Sequence, residues 1–178
     1  MQSRKSALAW GTRLLLLAIG LQLCAGPQWP EIGAVNPGPL ALRIEPTDVS
    51  LVPNEPLVLK VYVENVGDTL VRVPSKLGVM VWFDAFNSAG QKLTYFGYKY
   101  KLVPFTRDEY VGLAPRSFIG SSFTVSSLFH FDRPDVYTVV ASFLNDDDGA
   151  RHQLVVWTGA VKSTPVKILV TQGKSGDR

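Results

Sequence analysis

Apolar and polar residues alternate with a period of two along much of this chain, the pattern of half-buried strands. Leu40, Leu42 and Ile44 alternate with Ala41, Arg43 and Glu45, and the run stops at Pro46. Beyond the turn residues Val52-Pro53-Asn54-Glu55-Pro56, Leu57, Leu59, Val61 and Val63 share one face, with Lys60, Tyr62 and Glu64 on the other. Asn65-Val66-Gly67-Asp68 breaks that strand, and Thr69 to Val73 begins a short one ahead of Pro74. Val79 to Phe86 is apolar on both faces: Val79, Val81, Phe83 and Ala85 oppose Met80, Trp82, Asp84 and Phe86. Alternation alone does not choose its inner side. Asn87-Ser88-Ala89-Gly90 predicts a hairpin turn, with Gln91 to Tyr95 returning.

The second half continues in the same manner. Phe96 to Arg107 has no clean period and predicts a long connection or an irregular edge. Tyr110 to Leu113, the turn Ala114-Pro115-Arg116 and the strand Phe118 to Val125 follow. Ser126 to Arg133 suits one helical or 3₁₀ turn. In Pro134 to Leu144 the residues Tyr137, Val139, Ala141 and Phe143 face one way, into a core. After the polar turn Asn145 to Gly149, Leu154 to Trp157 and Pro165 to Thr171 are the expected closing strands, with Val166, Ile168 and Val170 inward. About seven to nine short strands with Pro/Gly turns at this spacing predict an all-β, immunoglobulin-like Greek-key sandwich.

In such sandwiches a tyrosine heading the penultimate strand is buried, with its hydroxyl bonded to backbone just upstream. Tyr137 holds that position here. Two residues on, where antibody-type domains place a cysteine, stands Val139, so this core closes without a disulfide. A tryptophan on the central strand of this fold is usually core, which places Trp82 inside with Tyr137 and Val139.

The N-terminal residues suit an export signal. Arg4, Lys5 and Arg13 form a basic region, Leu14 to Leu23 an apolar stretch too short for a confident membrane span, and Ala25 a cleavage point. The expected division is a signal peptide over 1–25, a Pro/Gly-rich linker over 26–39, the sandwich over 40–172 and a polar tail over 173–178. Cys24 is the only cysteine. A bacterial lipid anchor would want a small residue directly before it, and Leu23 departs from that pattern. The expected location is therefore secreted or periplasmic, and no Asn-x-Ser/Thr acceptor occurs in the chain. Of the 18 basic residues three lie in the leader, leaving 15 against 15 acidic ones. The basic character thus belongs to the leader and predicts no nucleic-acid partner.

Motifs that carry chemistry are absent: there is no His-Glu-x-x-His, no phosphate-binding glycine loop and no Gly-x-Ser-x-Gly elbow. His130 lies near Asp132 and several serines, but groups so close along one segment point in divergent directions, so no catalytic residue is assigned. His152, beside Arg151, is expected in solvent. Asn145-Asp146-Asp147-Asp148-Gly149 clusters oxygens that calcium favours, yet lacks the full set of ligands, and a solvated hairpin tip explains it. No metal and no cofactor are expected. The stretch Tyr95-Phe96-Gly97-Tyr98-Lys99-Tyr100-Lys101 is the candidate binding surface, with Tyr95, Phe96, Tyr98 and Tyr100 offering aromatic area to a protein or to sugar rings.

The succession Glu64-Asn65-Val66-Gly67-Asp68, Phe86-Asn87-Ser88-Ala89-Gly90, Leu113-Ala114-Pro115 and Pro134-Asp135-Val136-Tyr137 resembles the secreted immunoglobulin-like or fibronectin-like domains of bacteria. It is also similar to the intracellular proteinase inhibitor (BsuPI) domain, although Asp135 stands where that family has glycine. The resemblance spans Leu40 to Thr171. It implies a β-sandwich and transfers no functional residue. The expected function is that of an exported, non-enzymatic module binding a protein partner or the cell envelope. The alternatives are a protease inhibitor acting through a loop around Phe96 to Tyr110, and a carbohydrate-binding module.

Overall fold

The computed structural model describes residues 38–97 and 104–172. The leader, most of the linker, the tail, and the candidate residues Tyr98 and Tyr100 lie outside them. Ten strands follow in chain order: β1 (Leu40–Pro46), β2 (Ser50–Leu51), β3 (Val58–Asn65), β4 (Val71–Pro74), β5 (Val81–Phe86), β6 (Tyr110–Leu113), β7 (Phe118–Thr124), β8 (Asp135–Asn145), β9 (Gly159–Lys162) and β10 (Val166–Val170). A single helical turn, α1 (Leu77–Met80), precedes β5.

β8 is the axis of the fold. It pairs β5 along one edge, and β10 and then β9 along the other. The full sheet runs β2-β10-β8-β5, with β2 parallel to β10. Opposite it lies the antiparallel sheet β1-β3-β7, and β4 and β6 form a separate pair. Leu59, Val61 and Val63 from β3 and Tyr137, Val139, Ala141 and Phe143 from β8 are all buried, joined by Ile168 and Val170 of β10. Phe83 of β5 meets Phe123 of β7 edge to face, with ring centroids 5.3 Å apart. The polypeptide passes between sheets from β3 to β5 and from β7 to β8, which makes the connectivity a Greek key.

The register of β5 places Val81, Phe83 and Ala85 inward. Trp82, expected in the core, is instead 41% exposed on the outer face of the sheet. Side chains alternate strictly along a strand, so seating Phe83 in the core turns its neighbour outward. Tyr137, by contrast, is buried, and its hydroxyl donates to the Arg133 carbonyl at 3.1 Å. Val139 is wholly inaccessible.

The closing strands differ from expectation. Leu154 to Trp157 is irregular, and the strand forms at β9. β9 and β10 are separated at Ser163-Thr164-Pro165, where proline has no N–H to continue a ladder. The buried Ser163 bridges the gap: its hydroxyl accepts the Ala141 N–H at 3.0 Å, and its N–H reaches the Ala141 carbonyl at 2.9 Å. The return after Asn87-Ser88-Ala89-Gly90 reduces to one bridge, Phe86 to Lys92. Pro39, placed at the end of the linker by sequence, already belongs to the sandwich, because its carbonyl receives the N–H groups of Val66 and Gly67.

Candidate functional site

Two surfaces combine chemistry with exposure. The first is the edge where residues 93–97 run beside 128–131. The Phe96 N–H donates to the Leu128 carbonyl at 2.8 Å and holds the two segments together. Tyr95 turns inward: it is half-buried and meets the buried ring of Phe129 edge to face at 5.5 Å. It is thus an anchor of this edge and not part of its open surface, because its ring packs on Phe129 while that of Phe96 turns to His130. Gly97 is required beside it, since a Cβ there would lie within 2.3 Å of the Tyr95 hydroxyl. Phe96 is 58% exposed and lies against the exposed imidazole of His130, ring centroids 4.3 Å apart and planes inclined by 44°. His130 sits between two core residues, Phe129 and Phe131, so its outward direction follows from theirs. Among the described residues no hydrogen bond joins it to a serine or an aspartate.

The second surface is an open cleft of about 410 Å³, lined by Met80, Phe105, Asp146, Asp148 and Arg151 among others. The acidic run is an ordered set of turns and not a loose hairpin tip. Asn145 is buried, donates to the carbonyls of Asp147 and Trp157, and accepts the Asp147 N–H at 3.2 Å. Asp147 accepts the Gly149 N–H at 2.9 Å and pairs with Arg151 at 2.7 Å, and Asp148 accepts the Ala150 N–H at 2.9 Å. The carboxylates thus satisfy the loop itself, and no group of three or more metal-type side chains is assembled among the described residues. His152, expected in solvent, is half-buried: its Nε2 lies 2.7 Å from the Phe105 carbonyl and its ring 6.0 Å from that of Tyr110. Thr106 and Glu109 cap the short turn that brings Tyr110 into place.

Among the described residues the buried Tyr110 hydroxyl makes no hydrogen bond of normal geometry. Burial, and then the neighbouring Asp147 carboxylate, push its pKa up from 10.0 to about 12. A raised acid pKa means that the fold favours the neutral phenol. That stabilisation is complete below pH 10, and it disappears as pH rises through about 12. A phenolate absorbance titration of the native chain minus that of Tyr110→Phe is expected to show one group ionising near pH 12. A difference curve centred near pH 10 with the chain still folded would contradict the placement of this side chain.

With its two facing sheets the domain is an immunoglobulin-like β-sandwich: β1, β3 and β7 correspond to strands A, B and E, and β5, β8 and β10 to C, F and G. No protein-family model matches the chain, and no curated protein matches it. Among solved structures it is similar to the CARDB domain of a Pyrococcus furiosus protein, determined in complex with di-metal ions, at 16% identity and a TM-score of 0.38. That likeness covers 74% of this chain and 87% of the other. The fold assignment rests on the strand topology above. No helix among the described residues is long and apolar enough to cross a membrane.

Proposed function

We propose that this chain is an exported, non-enzymatic sandwich that binds another protein or an envelope component through the Phe96–His130 edge. The observation that supports it is the exposure of Phe96: a large aromatic ring stands on the surface, in contact with an exposed imidazole and backed by the anchored Tyr95–Phe129 pair. Rigid aromatic groups of this kind supply contact area at little entropic cost. Export rests on the basic and apolar leader before Ala25.

The test is a cross-linking pull-down from cell envelope and medium, repeated with Phe96→Ala. A stoichiometric protein captured by the native chain is expected. Truncating a hot-spot aromatic costs about 2 kcal/mol or more, so the variant should bind roughly 30-fold more weakly. A protease as the captured partner would favour the inhibitor reading, and recovered polysaccharide a carbohydrate-binding one. Equal capture by the native and variant chains would remove the Phe96 edge from the interface.

A further inference from the structure

Sheet edges display unpaired backbone groups, and folded proteins usually blunt them with charge, proline, brevity or a covering segment. Three edges here are blunted in this way. β1 carries Arg43 and Glu45 on its outer face and ends at Pro46, and β2 is two residues long. β5 is met by the bridge to Lys92, whose ammonium also pairs with Asp84 at 2.5 Å. β7, Phe-Ile-Gly-Ser-Ser-Phe-Thr, is different: seven residues with neither charge nor proline, pairing among the described residues with β3 alone.

The hydrogen-bond phase shows which groups are open. Val125 donates to the Leu57 carbonyl at 2.8 Å, and bonded pairs recur at every second residue of an antiparallel ladder. Ile119, Ser121 and Phe123 therefore bond β3, and Phe118, Gly120, Ser122 and Thr124 turn their backbone groups away from it. Of these, the Thr124 carbonyl is taken by the Ser127 hydroxyl at 2.6 Å. All four residues are exposed, Phe118 by 55%. α1 lies close to β7, and no backbone hydrogen bond joins the two among the described residues. Tyr62 lies over Gly120, where a Cβ would come within 2.8 Å of the ring, and meets Phe118 edge to face at 5.3 Å. Tyr62 thus packs along β7, whose outer backbone groups at Gly120 and Ser122 have no backbone partner among the described residues.

We infer that β7 pairs antiparallel with β7 of a second copy, joining the two three-stranded sheets into one. The strand is its own complement about a two-fold axis through Ser121. Gly120 and Ser122 of one copy exchange bonds with Ser122 and Gly120 of the other. Ile119 then faces Phe123, an aliphatic–aromatic cross-strand pair, and each exposed Phe118 lies across from a Thr124. No like charges are opposed, because the strand has none. The contact is isologous and closes at two copies, since each chain has one such edge. It uses none of the residues named at the Phe96 edge, so the two surfaces are tested by different substitutions.

Sedimentation of the purified chain from low to high micromolar concentration is expected to show a monomer–dimer equilibrium. Ser122→Pro removes an outward N–H while keeping the bonds to β3, and an edge strand tolerates proline there. It should weaken dimerisation by about tenfold or more, because each copy loses one hydrogen bond across the seam, and leave the melting temperature nearly unchanged. Ser121→Cys, in a Cys24→Ser background, places a cysteine opposite itself at a non-hydrogen-bonded site, within reach of a disulfide. It should oxidise to a covalent dimer, and that result decides the matter if Ser122→Pro folds poorly. A chain monomeric at every concentration would overturn the proposal. So would a dimer indifferent to Ser122→Pro whose Ser121→Cys form does not cross-link, or a monomer that takes up a foreign extended peptide at β7. Partner capture by Ser122→Pro, measured alongside, reports on the Phe96 edge alone.

Discussion

Replacing Asn65 by alanine is expected to lower the unfolding free energy by about 3 kcal/mol, because it orphans several buried polar groups that cost roughly 1–3 kcal/mol each. Asn65 ends β3 and has no accessible surface. Its amide donates to the carbonyls of Thr69 at 2.7 Å and Leu113 at 2.8 Å, and its oxygen accepts the Gly67 N–H at 3.0 Å. One side chain therefore closes the turn after β3 and ties it to the end of β6. Asn65→Asp keeps the acceptor and loses both donors, so it should be no better than alanine. Urea unfolding would show a midpoint lower by roughly 1–2 M for a domain of this size. A loss below about 1 kcal/mol would mean that water replaces the amide at both carbonyls.

Phe143→Ala is expected to cost about 4 kcal/mol, in the range for deleting a buried aromatic ring. Phe143 is wholly buried near the end of β8 and stacks on Trp157, centroids 5.8 Å apart and planes inclined by 20°. Trp157 in turn gives its N–H to the Arg72 carbonyl at 2.9 Å and its carbonyl to Asn145. The ring thus supports both the core and the loop that borders the cleft. Thermal unfolding should fall by roughly 15 °C, at a few degrees per kcal/mol. A double-mutant cycle with Trp157→Ala should give a coupling of about 0.5–1.5 kcal/mol, the part owed to ring stacking. A coupling of zero would show that Phe143 acts by volume alone.

The strands that became legible without coordinates are those with one wet face. In β1, β3 and β10 the charged residues mark the outer side, so Leu42, Val61 and Ile168 declare the inner one. β5 carries large apolar groups on both faces, and the choice between Phe83 and Trp82 depends on which ring meets Phe123 across the sandwich. Nothing local to Val79–Phe86 contains that information. Leu154 to Trp157 looks like a strand by composition, yet Asn145 and Arg72 capture the backbone of Trp157 and leave the segment irregular. Propensity is a weak prior against such tertiary bonds.

The candidate surfaces divide in the same way. An aromatic cluster near Phe96 is visible in the sequence, whereas the opposite directions of Tyr95 and Phe96 follow from packing against Phe129 and His130. The grouping of Tyr110, His152 and Asp147 beside the cleft is not legible in the sequence, because Tyr110 heads β6 while Asp147 and His152 lie in the connection after β8, and the two segments share no motif. The two buried asparagines give only a faint signal, an Asn ahead of Gly or Asp at a strand end, and their partners Leu113 and Trp157 lie far along the chain.

What the sequence determined by itself is the all-β class, the position of most strands and the absence of any disulfide in the sandwich, since period-two alternation, turn residues and cysteine count are local properties of the chain. What the tertiary structure decided is which face of β5 is inner, how β9 and β10 share the edge of β8, and where β7 is left unpaired. Those outcomes depend on contacts between residues distant in sequence, where a single ring or amide chooses between arrangements that are equally well patterned.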